Sequence, residues 1–332
     1  MRKTVSFSRN TTNVFFHILT QCNLSCRHCY INPAQQGDQI LSIDAICKWL
    51  EAFITPGNHP NLILLGGEPT LHPQLAMAVK AARGLGYGSI TIDTNGYLFH
   101  GILDKVSPED VDYFSFSLDG ATKETNDAIR GKGCYDDCTA GIRVAVRRGF
   151  NTSLIYTVSA ENIHELEMMP PLLKYLGVGR FFIQVIGLRG KSAVSGTGTL
   201  QIVRDTWVTL IPAVARQVAD HGITVAYPRV FLDDDELFEC AGLVADNYFI
   251  FPNGRVYRCP LCEDYPIHSL QMVNNRLNPT GKINEKDLFN LQIPEGCVMN
   301  KLLQPGNLIY KDDGSPKYRI ACCMLKEEIP GK

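Results

Sequence analysis

The 332-residue sequence has no excess of charge of either sign: 32 lysines and arginines stand against 34 aspartates and glutamates, a formal net charge of −2. Without a basic excess there is no electrostatic footprint for DNA or RNA, and no nucleic-acid partner is expected. No apolar run approaches the roughly 18 residues of a membrane span. Met1 to Asn13 is polar rather than a charged segment leading into an apolar one, so neither a membrane partner nor an export signal is expected. Repeats of solenoid length and low-complexity tracts are absent. A hydrophobic fraction of 45% with 20% charged residues is ordinary for a globular chain and excludes disorder, collagen and coiled coil. The length suits one large α/β domain with a smaller one.

What the sequence does have is cysteine. Its 12 cysteines are roughly 3.6% of the chain, too sparse for a disulfide scaffold. A chain without an export signal is expected in the cytoplasm, where thiols stay reduced, so metal or redox chemistry is the leading reason for them. Cys22, Cys26 and Cys29 cluster near the start, and Cys240, Cys259, Cys262, Cys297, Cys322 and Cys323 fall near the end. Two thiol-rich regions point to two sites. Cys47, on an amphipathic helix, and Cys134 and Cys138, spaced i, i+4, read as buried helix residues.

From Val14 to Cys138 short β-branched or aromatic runs alternate with helical patterns, the mark of βα units around a parallel sheet. Six strands are predicted: Val14 to Leu19, Leu62 to Leu65, Ser89 to Thr94, Tyr113 to Leu118, Thr152 to Val158 and Phe181 to Ile186. Helices are predicted near Ser42 to Phe53, Gln74 to Leu85, Gly101 to Val106, Tyr135 to Arg148, His164 to Leu176 and Val203 to His221, with Ser42 as an N-cap. The small, polar stretch Gly190 to Thr199 reads as a mobile loop. After Tyr227 the pattern changes to a hairpin with its turn at Asn253-Gly254, then Pro/Asn/Gly-rich segments. We place a domain boundary there, giving units 1–227 and 228–332. The second has few strong elements, so a metal staple is plausible in it.

Cys22-Asn-Leu-Ser-Cys26-Arg-His-Cys29 follows directly on the first strand. Three thiolates on one loop can hold three corners of a four-iron cube and leave the fourth iron open to a small ligand. A zinc site completed by His28 or His17 is the alternative, although zinc knuckles generally pair two C-x2-C units. The second strand ends in Gly66-Gly67-Glu68-Pro69, the third in Thr94-Asn95-Gly96, and the fourth in Ser117-Leu118-Asp119-Gly120, with Arg130-Gly131 beyond. Glycines allow close backbone approach and a carboxylate pairs with an ammonium.

In this order the motifs resemble the radical S-adenosylmethionine (SAM) superfamily from about Val14 to Ile186. His28 departs from the aromatic or aliphatic residue common at its place. The resemblance implies a partial (β/α)6 TIM-like barrel and a 4Fe-4S cluster on Cys22, Cys26 and Cys29. It also implies reductive cleavage of SAM to a 5'-deoxyadenosyl radical that abstracts hydrogen from substrate. It implies that Gly66, Gly67 and Glu68 meet the methionine amino group, that Ser117 meets ribose or carboxylate, and that Asn95 and Gln184 lie at the same site. For Asn95 a turn role stays open, and for Gln184 that of a polar strand residue. A flavodoxin- or ferredoxin-type electron donor is implied as partner.

Cys240-x13-Gly254-x4-Cys259 resembles the opening of the superfamily's SPASM/Twitch region. A hairpin would bring two distant thiols together there, and Cys262 adds a C-x2-C with Cys259. Asn300 stands where the full SPASM block has its second cysteine, so a single auxiliary 4Fe-4S cluster in a small C-terminal Twitch-like domain is expected. Its ligands come from Cys240, Cys259, Cys262, Cys297, Cys322 and Cys323, at most one of the last two, and a structural zinc is the alternative. The expected substrate is a peptide or protein, the alternative a small cofactor or natural-product precursor. No winged-helix recognition module is read ahead of the first strand. The rival from another class, a non-catalytic iron–sulfur carrier or zinc scaffold, needs no Glu68 or Ser117.

Overall fold

Residues 10–97, 101–194, 200–265, 268–281 and 285–332 are described by the computed structural model. Seven strands lie parallel and side by side in chain order: β1 (Thr12–His17), β2 (Asn61–Leu65), β3 (Ser89–Thr94), β4 (Tyr113–Ser117), β5 (Thr152–Val158), β6 (Arg180–Val185) and β7 (Thr224–Pro228). The helices Ile43–Glu51, Leu75–Gly84, Lys123–Arg130, Cys134–Arg147, Met169–Leu176 and Arg204–Asp220 come between or after them. This is the α/β, partial-barrel arrangement expected. Among the described residues no helix is long and apolar enough to cross a membrane.

Strand alternation divides the barrel into two layers. In β3, Ile90 and Ile92 are fully buried on one side while Ser89, Thr91 and Asp93 line a central cavity. In β4 Phe114 and Phe116 are buried while Tyr113, Ser115 and Ser117 line the cavity, and in β5 Leu154 and Tyr156 alternate with Ser153, Ile155 and Thr157. Apolar residues therefore pack outward and hydroxyl-rich ones face inward.

Several expectations need correction. The predicted helix at Gly101 to Val106 is a run of turns, too short before Ser107-Pro108 to offset the cost of helix nucleation. The helix predicted from His164 is a 3-10 segment, Ile163–Met168, and becomes α-helical only at Met169, with proline in its first turn. Helix Lys123–Arg130, capped by Thr122, is an addition, and so is the seventh parallel strand. Ser42 caps its helix, its Oγ accepting from Ala45 N at 3.2 Å. Cys134 and Cys138 are buried, whereas Cys47 is only half-buried on the flank of its helix.

The C-terminal region joins the same sheet at both edges. The hairpin β9 (Asp246–Ile250) and β10 (Arg255–Tyr257) turns at Asn253-Gly254, with Gly254 at φ +82. Strand β9 lies parallel against β1, and β11 (Leu270–Val273) and β12 (Arg276–Pro279) continue outward from β10. At the other edge β14 (Lys326–Ile329) runs antiparallel to β7. Among the described residues the sheet has twelve strands, β8 (Phe231–Leu232) and β13 (Arg319–Ile320) form a separate antiparallel ladder, and residue 227 lies inside β7.

Candidate functional site

The cysteine loop is tied to the end of β2 by a backbone zipper. Ile18 N donates to Leu65 O at 3.0 Å, Gly67 N to Leu19 O at 3.1 Å and Glu68 N to Gln21 O at 2.9 Å. Only glycine permits this approach: a Cβ on Gly67 would stand 2.3 Å from Gln21 O, and one on Gly66 2.8 Å from Leu19 O. The Gly-Gly-Glu run is thereby set beside the entry to Cys22.

Glu68 is 1% exposed. Its Oε1 accepts from Thr70 N at 3.1 Å, Thr70 Oγ1 at 2.5 Å and Thr94 Oγ1 at 2.8 Å, and its Oε2 accepts from Asn95 N at 2.7 Å. Burial raises its pKa while these donors oppose the rise. The carboxylate clamps the ends of β2 and β3 together and leaves acceptor capacity only at Oε2. Asn95 Nδ2 donates to Asn23 Oδ1 at 2.9 Å and lies 3.7 Å from Cys22 Sγ, while its Oδ1 accepts from Tyr97 N at 2.9 Å. Asn95 is thus both the turn residue and a neighbour of the loop.

All nine residues named for the first site, Cys22, Cys26, Cys29, Gly66, Gly67, Glu68, Asn95, Ser117 and Gln184, line one cavity of about 610 Å³ at the C-terminal ends of the strands. Asn23 Nδ2 and His28 Nδ1 in the loop are buried with no hydrogen-bond partner among the described residues. Buried polar groups are usually satisfied. Three thiols, the unsatisfied His28 and a glycine-lined approach on one cavity, with Asn23 unsatisfied in the same loop, fit a thiolate-held cluster with a small ligand beside it.

No three His, Cys, Asp or Glu side chains among the described residues converge closely enough for a single metal ion. Thiols that each bind a different iron need wider spacing than ligands of one ion. His17 is no ligand: burial lowers its pKa to about 3, its Nδ1 donates to Ile250 O at 3.0 Å and its Nε2 accepts from Tyr30 OH at 2.7 Å.

Behind the loop sits a buried ion network. Asp119, fully buried, meets Arg130 at 2.6 Å and His28 Nε2 at 3.2 Å, and accepts from Thr157 N at 2.8 Å. Burial alone would raise the Asp119 pKa, but Arg130 and His28 outweigh it and hold the carboxyl at about 2. The start of the loop that follows β6, within the segment expected to be mobile, is packed against the cysteine loop. Gly190 lies against Cys29 and Tyr30, Lys191 N donates to Cys29 O at 2.8 Å, and Lys191–Val194 forms a helical turn. Residues 195–199 of that segment lie outside the described residues.

The six C-terminal thiols gather in one neighbourhood. Cys240 pairs with Cys322 and Cys259 with Cys262, and Cys297 and Cys323 lie in the electrostatic field of the same group. Cys322 accepts from Cys240 and from Ala241 N at 3.5 Å, which outweighs burial and brings its pKa down. Cys240 moves up correspondingly. Adjacent Cys322 and Cys323 do point apart: Cys323 lines the large cavity, and Cys322 turns to Cys240.

Residues 17–169 match the radical SAM superfamily. The chain carries a radical SAM domain. It is 33% identical over 180 residues to a pre-heme d1 synthase of Dinoroseobacter shibae, a match covering 54% of this chain and 44% of that protein. The chain therefore spans less than half of that relative's length. It is 27% identical over 283 residues to the mycofactocin maturase MftC of Mycobacterium ulcerans, covering 78% of this chain and 70% of the other. In fold it resembles the solved structure of anSMEcpe with bound AdoMet and Kp18Cys peptide, at a TM-score of 0.61 and 13% identity, covering 93% of this chain and 92% of that one.

The structure also contains contacts that the motifs did not reveal. The roles of Asp119, His28 and Arg130 went unassigned, although the Ser-Leu-Asp-Gly and Arg-Gly motifs flank the helix that brings them together. Arg189 reaches across to Glu263 at 2.5 Å and lies over the Tyr30 ring at 4.6 Å. These residues are far apart in the chain, and no local pattern pairs them.

Proposed function

We propose that the protein is a radical SAM enzyme in which Cys22, Cys26 and Cys29 hold a 4Fe-4S cluster and Gly66, Gly67, Glu68, Asn95, Ser117 and Gln184 form the SAM site. The observation that carries this reading is that all nine line a single cavity. When bound, the reduced cluster and SAM supply a 5'-deoxyadenosyl radical for hydrogen abstraction. In this reading the chain's own residues position and shield. The glycines bring backbone close to the ligand, and the one free acceptor site on Glu68 Oε2 takes an ammonium proton. The Asp119–Arg130–His28 network holds the loop from behind. The cavity falls within the roughly 300–1,000 Å³ of small-molecule sites.

In the same reading the segment 228–332 is a Twitch-like unit whose gathered thiols hold an auxiliary 4Fe-4S cluster, and 1–227 is the catalytic unit. A peptide or protein is the substrate, supported by the relative named as a maturase, which the match covers over most of its length. The relative of higher identity is named as a synthase of a heme precursor, which favours a small precursor as the second reading. A flavodoxin- or ferredoxin-type protein supplies electrons. The test is anaerobic reconstitution with iron counting and detection of 5'-deoxyadenosine after reduction with SAM. About eight irons are expected, and about half in a Cys22, Cys26, Cys29→Ala triple variant. Stoichiometric zinc, or no 5'-deoxyadenosine, would overturn the reading.

A further inference from the structure

The charged groups that face the central cavity are nearly all matched within the protein. Arg130 is paired with Asp119 at 2.6 Å, Arg180 with Glu328 at 2.9 Å and Arg189 with Glu263 at 2.5 Å, and Glu68 accepts four hydrogen bonds. Asp93 has the Ser115 hydroxyl. Lys326 differs. Its side chain lines the same cavity, partly buried, and has no hydrogen bond or ion pair among the described residues.

Backbone pairing fixes where this ammonium stands. Lys326 is the first residue of β14 and pairs with Pro228 at the C-terminal end of β7, so it projects at the mouth end of the barrel. The SAM-site candidates Glu68, Asn95 and Ser117 follow or close β2, β3 and β4, and β14 is four strands beyond β4 in the sheet. Neighbouring strands are about 4.8 Å apart, so the separation is roughly 19 Å along the curved sheet. Gln184, the remaining SAM-site candidate, stands on β6 only two strands from β14, so Lys326 lies well apart from Glu68, Asn95 and Ser117 but on the Gln184 side of the one cavity.

We propose that Lys326 anchors an anionic group of the substrate, a carboxylate or a phosphate, at the β7–β14 side of the cavity. The proposal rests on the radical SAM reading above, since it takes this cavity to be where substrate lies beside SAM. Withdrawing an ammonium from water without a counter-charge is costly, and burial does disfavour the charged form here. The nearby thiols Cys323 and Cys322 partly oppose that effect, and an entering anion adds the direct counter-charge that no side chain among the described residues supplies by hydrogen bond or ion pair. Lysine suits that task as a compact charge on a flexible stem, able to follow a group whose position varies with the substrate.

The test uses the full-length wild-type protein with its metal sites reconstituted. Lysines are pulse-acetylated with a neutral active ester, with and without SAM, and labelling is read peptide by peptide by mass spectrometry. The probes are propionate, methyl phosphate and the neutral control propionamide. Lys326 should label roughly fivefold more slowly at an anion concentration about four times its dissociation constant, by mass action. Exposed Lys48 should be unaffected, and propionamide should do nothing. Stronger protection by propionate assigns a carboxylate, and stronger protection by methyl phosphate a phosphate.

Equal labelling with every probe would overturn the proposal and leave the nearby thiols Cys322 and Cys323 as the counter-charge. Protection by SAM alone, with weaker SAM binding in Lys326→Gln, would overturn it by assigning the ammonium to the SAM carboxylate. A Lys326 that the ester never reaches would overturn it too, because substrate could not reach it either. The readout is labelling rather than turnover, so it stands apart from whether 5'-deoxyadenosine forms.

Discussion

Gly67→Ala perturbs the site without changing any charge. The added Cβ would lie 2.3 Å from Gln21 O and 2.5 Å from Thr20 O. Both are backbone atoms, so no rotamer change relieves the clash. Ordinary contact begins at 3.4 Å, so the end of β2 and the segment leading into Cys22 must separate by about 1 Å. That movement stretches two bonds of the zipper, Gly67 N to Leu19 O and Glu68 N to Gln21 O. Overpacking costs about 1–3 kcal/mol and each of the two weakened bonds about 1 kcal/mol, so a loss of about 3–5 kcal/mol is expected.

The assay is urea unfolding of the metal-free protein, followed by anaerobic iron binding. Iron at the first site should fall, because the displaced segment carries Cys22. Gly84→Ala is the control: it ends the helix Leu75–Gly84 and nothing lies within 4 Å of its added Cβ. Alanine there should be neutral or stabilise by up to about 1 kcal/mol. If Gly67→Ala stays within about 0.5 kcal/mol of wild type and keeps its full iron content, the zipper does not set the site.

Further outcomes are expected elsewhere. Glu68→Gln forces an amide NH2 against either Asn95 N–H or the three donors at Oε1, so it should cost about 1–3 kcal/mol of stability and weaken SAM binding roughly tenfold or more by calorimetry. Unchanged affinity would remove Glu68 from the site. Asp119→Asn leaves Arg130 buried without its partner and should cost about 3–5 kcal/mol. Because the folded Asp119 carboxyl is held at about 2, its contribution is present above its unfolded value near 3.9 and lost as pH falls through 2. The variant should flatten that acid limb of the stability curve. Cys240 and Cys322 changed together to Ala should remove about half the iron while slow, uncoupled 5'-deoxyadenosine formation survives. Loss of uncoupled 5'-deoxyadenosine formation as well would mean that the two thiol groups do not act separately. A chain ending at Tyr227 should be insoluble, since it strips β9 from β1 and β14 from β7 and exposes two strand edges. A soluble, cooperatively folding fragment would contradict this.

Where the chemistry was local, the residues disclosed it. The three-cysteine loop, the Gly-Gly-Glu run and the apolar strands were legible because each is a short stretch whose residue types have a direct geometric meaning. Ser42 as a cap and Asn253-Gly254 as a hairpin turn belong to the same class. The seventh strand was not legible, because Thr224–Pro228 is short and ends in proline, a weak strand signal taken alone. Gly101–Val106 failed in the opposite direction, having an apolar spacing that suits a helix over too few residues to form one. Long-range pairings left no local trace. His17 bonds to Ile250, 233 positions away, and Arg189 to Glu263, 74 away.

Those distant pairings determine how the two thiol groups stand to each other. Strand β9 lies against β1 over five register pairs, from Thr12 with Asp246 to Phe16 with Ile250. His17, the next residue, then bridges Ile250 O to the hydroxyl of Tyr30, one residue beyond Cys29. Arg189 covers the Tyr30 ring and grips Glu263, which follows Cys262. The path from Cys29 to Cys262 therefore runs through backbone ladder, a neutral histidine, an aromatic ring and a buried ion pair, with no linker along it. Burial, helped by the nearby carboxylates of Glu285 and Asp264, carries the Glu263 pKa up to about 7 even against Arg189. Such a pair contributes little net stability but strongly resists losing one partner. Rigid contacts of this kind fix the spacing between the two thiol groups, and Cys323 on the wall of the cavity is where that fixed spacing brings the second group to the first.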